Sequence, residues 1–199
     1  RSVTHHMIAP QASPPMGKLL PEPLSPAPRE ATPDVAGADW MELEARIHAC
    51  KSCGLCESRL LVVVGTGDRR ARWMFVGEAP GQEEDRAGLP FVGPAGQLLD
   101  AMLAALGLRR GEDVYIANAV KCRPPFNRTP MPEEIHACLP YLQRHIELVQ
   151  PQLILALGRP AAYALLGQEV KINAVRGQVF ERDGVPVVVS YHPAYLLRN

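Results

Sequence analysis

Apolar positions along the chain alternate between two periods. In WMELEARIHAC, Trp40, Leu43 and Ile47 fall on one helical face. Asp39 precedes them and Glu42 follows three residues later, the spacing of a capping box. WMFVGE then reads as a buried strand. GPAGQLLDAMLAALGL returns to the helical period through Leu98, Leu99, Met102, Leu103 and Leu106, with Gly107 as its stop. VYIANAV is a second strand, and PEEIHACLPYLQRHIELVQ a second long helix, broken or kinked near Pro140. LILALG, RPAAYALLG and VPVVVSYH follow as strand, short helix and strand. Strands that are apolar throughout and separated by helices predict a parallel sheet covered on both faces. Ligands in such sheets sit beyond the carboxyl ends of the strands. GEAPG, Asn118, Gly158 and His192 all lie at or near those ends, so they are expected to converge on one cleft.

The first of these ends carries an unusual load. VGEAPGQEED leaves a buried strand and at once presents Glu78, Glu83, Glu84 and Asp85. A charged loop is an ordinary solvated surface, and for Glu83 and Asp85 that reading stands level with a functional one. A carboxylate such as Glu78, one step past a buried strand, is usually satisfied or functional. Residues 1–38 differ from the rest: proline is dense, no period appears, and a disordered tail is expected, with a docking arm as the alternative. Residues 39–199 are expected to form one domain.

Composition narrows the classes. Of 199 residues, 47% are hydrophobic and 21% charged, as in ordinary globular proteins. No apolar run approaches a membrane span, and RSVTHHMIAP has no signal-peptide core, so a cytoplasmic protein away from membranes is expected. Lys plus Arg and Asp plus Glu both number 21, so any nucleic-acid partner must be met by a local basic patch. Five cysteines, an odd count, argue against a disulfide framework. Cys50 and Cys53 form a C-x2-C pair with Cys56 three residues on; Cys122 and Cys138 lie far downstream. Structural zinc commonly joins two closely spaced pairs. The wide second pair suits an iron–sulfur cluster at least as well. Spacing leaves both open, beside simple burial.

Taken in order, Cys50-x2-Cys53, GEAPGQEED, GLPFVGPAGQLLD, NAVKCRPPFNR, Cys138 and HPAYLLR resemble the family-4 uracil-DNA glycosylases, over about Cys50 to Asn199. The resemblance implies a three-layer α/β/α fold around a four-stranded parallel sheet. It implies a [4Fe–4S] cluster on Cys50, Cys53, Cys122 and Cys138, with Cys56 outside the ligand set. A related branch with a KRRIH-type insertion becomes trapped covalently on DNA; VKCRPPFNRTPMPEE has no such insertion. The activity implied is hydrolysis of the N-glycosidic bond of uracil in single- or double-stranded DNA by a monomer, the base being swung out of the stack. His192 would donate to the departing uracil O2. Asn118 would read O4 and N3–H together, and Phe91 would stack on the base. Ala79 stands where better-known uracil glycosylases place an aspartate that serves the water, so Glu78 and Glu84 become the candidates for that duty. Pro193, Leu196, Leu197 and Arg198 would form the loop that enters the minor groove. Lys121, Arg123 and Arg128 would meet phosphates. A DNA-binding or polymerase-associated module without activity is the alternative, with an electron carrier behind it.

Overall fold

A computed structural model describes residues 32–199. Helix α1, Trp40–Ala49, begins with the predicted box: Asp39 Oδ1 accepts from the Glu42 amide at 2.9 Å, and Glu42 accepts from the Asp39 amide at 3.1 Å. Chain order continues with β1 (Thr66–Gly67), β2 (Trp73–Gly77), α2 (Gln82–Ala87), α3 (Pro94–Ala105), β3 (Val114–Asn118) and α4 (Pro132–Val149). It ends with β4 (Leu153–Leu157), α5 (Arg159–Leu166), α6 (Ile172–Val175), β5 (Val179–Arg182), β6 (Val185–Ser190) and α7 (Pro193–Leu196).

The sheet has six strands in the order β1-β3-β2-β4-β6-β5. The four central strands are parallel, as expected, and the two edge strands are antiparallel to their neighbours. The four-stranded parallel sheet is therefore corrected to a mixed one. Both edges are short segments without an apolar run of their own; backbone pairing recruits them, and β5 also buries Phe180 in the core.

Alternation along the central strands builds two cores. Met74, Val76, Tyr115, Ala117, Ile154 and Ala156 face α1, α4 and α5. Phe75, Val114, Ile116 and Leu157 face Leu99 and Leu103 of α3. Helix α4 runs unbroken through Pro140, which has no amide hydrogen to offer the carbonyl one turn back. Residues 32–38 were expected in the tail, but Val35 and Ala38 are buried, and Arg144 Nε donates to the Ala38 carbonyl at 2.7 Å. The packed body thus begins before Asp39; residues 1–31 lie outside the described part. No helix among the described residues is long and apolar enough to cross a membrane.

Candidate functional site

Parallel register brings the strand ends level. Gly77 pairs with Asn118 and Leu157 with Ser190. Beyond them opens a cleft of about 700 Å³ whose walls include Glu78, Glu84, Phe91, Gly158 and His192. Two glycines make room for this convergence. A Cβ on Gly77 would lie 2.4 Å from Asn118 Oδ1 and 2.6 Å from the Phe91 ring. Gly158 has φ +92°, and a Cβ there would press on His192 at 3.2 Å.

His192 caps α7. Its Nδ1 accepts from the Ala194 amide at 3.1 Å. An accepting Nδ1 leaves the proton of the neutral ring on Nε2, so that edge is the donor. Burial, with repulsion from Arg198, lowers its pKa to about 4 against the opposing pull of Glu84. At neutral pH the ring is an uncharged donor. It stacks on Phe91, with centroids 5.4 Å apart. Phe91 holds φ +54°, a costly backbone for an aromatic residue.

Asn118 is 2% exposed, and its Oδ1 has no hydrogen-bond partner. A buried, unpaired carboxamide oxygen is expensive and calls for an explanation. It lies against Gly77, as the Phe91 ring does, and Asn118 is not among the residues that line the cleft. Glu78 is half-buried. Burial raises its pKa, while the Thr129 hydroxyl and the Arg159 and Arg198 charges pull it back.

The acids of GQEED stand on α2, a helix rather than a loop, and they do different work. Glu84 accepts from the Gly81, Val92 and Gly93 amides at 3.0, 2.9 and 3.0 Å. It ties α2 to the segment that holds Phe91. Asp85 is buried and accepts from the Leu60 amide at 2.9 Å and the Leu61 amide at 3.4 Å, so the solvated-loop alternative does not hold for it. Glu83 is exposed. The Ala79 methyl packs against the main core instead of along the cleft wall.

The basic residues also divide. Lys121, expected on a phosphate, is 1% exposed, and its Nζ donates to the Asn118 carbonyl at 3.1 Å. A cation sealed inside the fold cannot reach DNA, so that assignment is corrected. Arg128 pairs with Glu134 through both terminal nitrogens at 2.8 and 2.6 Å, and Arg123 Nε donates to Asn127 Oδ1 at 2.6 Å. Both brace their loop. Arg198 lines the cleft. Pro193 is buried at the first turn of α7, which removes it from any inserted wedge, whereas Leu196 and Leu197 are exposed. Arg159, Thr129, Lys171 and Tyr195 also line the cleft and were not foreseen. Arg159 follows Gly158 directly, so the strand-end rule could have found it. Lys171 comes from a segment with no apolar period to place it.

All five cysteines, with Arg59 and Tyr141, border one small second cavity. Arg59 Nη1 donates to Cys122 Sγ at 2.9 Å, and the Lys121 amide to Cys138 Sγ at 3.3 Å. Two N–H donors aimed at sulfur suit thiolates. Burial pushes the Cys53 thiol up to about 11 and the Cys138 thiol up to about 12. Among the described residues, no three His, Cys, Asp or Glu side chains converge tightly enough to hold a single metal ion.

Chemically, the cleft wall offers an apolar ring and an uncharged N–H donor to a planar heterocycle, while the Asn118 carboxamide is buried beside Phe91 and is not itself among the lining residues. A carboxylate stands on the same wall. The family model of the Uracil DNA glycosylase superfamily matches residues 64–199. The type-4 uracil-DNA glycosylase of Thermotoga maritima is 50% identical over 156 residues, 77% of this chain and 81% of that protein. The type-4 enzyme of Archaeoglobus fulgidus is 45% identical over 164 residues, 78% of this chain and 82% of its own length. A DNA polymerase of Bacillus phage SP01 is 34% identical over 135 residues, 68% of this chain but 14% of the polymerase.

Proposed function

The chain belongs to the uracil DNA glycosylase superfamily, and from that premise we propose that it removes uracil from DNA by hydrolysing the N-glycosidic bond. The observations that carry this reading are an unpartnered Asn118 Oδ1 and a His192 whose Nε2 edge is a donor, both beside Phe91.

Uracil must leave the stack to reach such a cleft. The Asn118 carboxamide would accept from N3–H and donate to O4. Cytosine offers the reverse pattern at both positions, so it would leave the buried amide mismatched. As the C1′–N1 bond breaks, its electron pair moves into the uracil ring, and charge gathers on O2. The His192 Nε2–H stabilises that charge without giving up its proton. The sugar is left cationic. Glu78 balances that cation and accepts the proton of the water that adds to C1′. Glu84 is a positioning residue in this scheme, because its carboxylate is already spent on three amides.

We assign a [4Fe–4S] cluster to Cys50, Cys53, Cys122 and Cys138. Zinc would require its four sulfurs within about 2.3 Å of one point. A cluster spreads its thiolates over separate irons, and the gathering of the cysteines at one cavity with N–H donors on two sulfurs supports that reading. When bound, the cluster would cross-link three separate stretches of chain, and no step of the excision passes through it.

The polymerase relative keeps alive the second reading, a DNA-binding module without activity. An excess of the protein, incubated with oligonucleotides bearing one uracil, single- and double-stranded, separates the two. Abasic sites are expected at uracil and not at cytosine, with Asn118→Asp losing that preference. If intact oligonucleotide is recovered at every enzyme concentration, the binding-module reading replaces this one.

A further inference from the structure

Phe126 is 98% exposed, an extreme for an aromatic side chain among the described residues. It also holds φ +57°, and Asn127 beside it φ +55°. Two consecutive left-handed residues without a glycine are uncommon, and strain of this kind persists only where the surroundings enforce it. Here they do. The Asn127 amide donates to the Pro124 carbonyl at 3.1 Å and the Arg128 amide to Pro125 at 3.2 Å. Arg123 holds the Asn127 side chain, and Arg128 is clamped on Glu134. The loop is a braced mount that presents one bare ring to solvent.

Its position is informative. Asn127, within this turn, and Thr129, just after it, line the cleft that holds Glu78 and His192. Elsewhere on the same rim, Tyr195 and Arg198 line it, with Leu196 and Leu197 exposed beside them. A protein partner would need a broad apolar patch with a buried centre. Phe126 instead sits among polar sequence neighbours, with Arg123 before it and Asn127 and Arg128 directly after it. A single rigid aromatic ring beside cations matches an unstacked nucleobase.

We propose that Phe126 stacks on an unpaired base of the DNA strand adjacent to the flipped uracil, holding the strand on the rim of the cleft. This rests on the excision reading for the identity of the strand. The role is one of binding, separate from the wedge of α7 and from the chemistry of Glu78 and His192.

The test uses an oligonucleotide with an uncleavable abasic analogue, single- and double-stranded, titrated by fluorescence anisotropy at low and high salt. Phe126→Gly removes the ring and suits the left-handed backbone, so its thermal midpoint should equal or exceed the parent's. Its affinity should fall by roughly 5- to 150-fold, the range one base–aromatic stack carries. The deficit should be alike at both salt concentrations, since a stacked ring neutralises no phosphate. Phe126→Tyr should restore binding. 2-Aminopurine next to the analogue should change fluorescence with the parent and not with Phe126→Gly. The stack is overturned if Phe126→Gly binds as the parent does, or if Phe126→Tyr binds no better than Phe126→Gly. Because the probe is unreactive, a parent that shows this affinity pattern yet excises no uracil sinks the excision reading alone. A parent that binds no DNA overturns both.

Discussion

At His192, one hydrogen bond from the Ala194 amide decides which ring nitrogen carries the proton. Acidification would put a second proton on Nδ1 and break that contact. The folded pKa lies near 4, below the ordinary 6.5, so the neutral form is kept as pH falls through 6.5 and lost only near 4. Glu78 shifts the other way: its pKa is raised by burial, so it protonates first on acidification. The acid limb of kcat/KM, which reports the free enzyme, should therefore belong to Glu78 and lie above 4.5 in the parent protein. In Glu78→Gln the residual activity should show its limb lower, near the His192 value. Superimposable limbs would remove Glu78 from the reaction. His192→Ala should slow single-turnover excision by about 10²–10³-fold, the cost of one donor to a developing anion, with substrate affinity much less affected. The motif HPAYLLR pointed to His192, but not to its tautomer or its lowered pKa. Those depend on an amide two residues away and on burial in the fold, and neither is written in the residue type.

Elements show where pattern carries information and where it fails. The central strands and α1, α3, α4 and α5 were legible, because each has an apolar face long enough to set a period. Helix α2 was not. QEEDRA has no apolar face, and what holds it is tertiary: Asp85 on the Leu60 and Leu61 amides, Glu84 on the Val92 and Gly93 amides. The four carboxylates are adjacent in the sequence, and the fold separates them: Glu78 and Glu84 line the cleft, Glu84 and Asp85 brace α2, and Glu83 is exposed. That separation is measurable. Glu84→Gln offers one acceptor oxygen to three amides and forfeits charge-assisted bonds, each of which contributes about 1.5–3 kcal/mol. It should lower the unfolding midpoint and the excision rate together. Glu78→Gln should lower the rate and leave the midpoint unchanged or higher, because it replaces a half-buried charge with a neutral group of the same shape. If the two variants lose stability equally, Glu84 is not the brace described.

Across the whole molecule, the cysteine cavity and the cleft are joined by two short covalent and hydrogen-bonded routes. One leaves the 50–59 stretch through the Leu60 and Leu61 amides to Asp85, crosses α2 to Glu84, and reaches the Phe91 segment. The other runs from Cys122 to Lys121, whose buried Nζ holds the Asn118 carbonyl. Lys121 was misassigned because lysine in a basic stretch normally faces solvent. Here the sulfurs of Cys122 and Cys138 act on its charge favourably, offsetting part of its burial. A staple at the cysteines should therefore support the geometry of base recognition as well as overall stability. Cys50, Cys53, Cys122 and Cys138, each changed to Ala, should lose bound iron and lower the unfolding midpoint, and excision should decline in step. Cys56 borders the same cavity, so geometry alone does not separate it from the other four; Cys56→Ala should retain iron and activity. Iron content, the visible absorption of the cluster and the unfolding midpoint, read on one preparation of each variant, check all of this. Stoichiometric zinc in a colourless parent protein would replace the cluster with a metal ion. Iron lost on removing Cys56 but kept without one of the other four would redraw the ligand set. A variant that loses iron yet excises uracil at the parent rate would cut the proposed connection between staple and cleft.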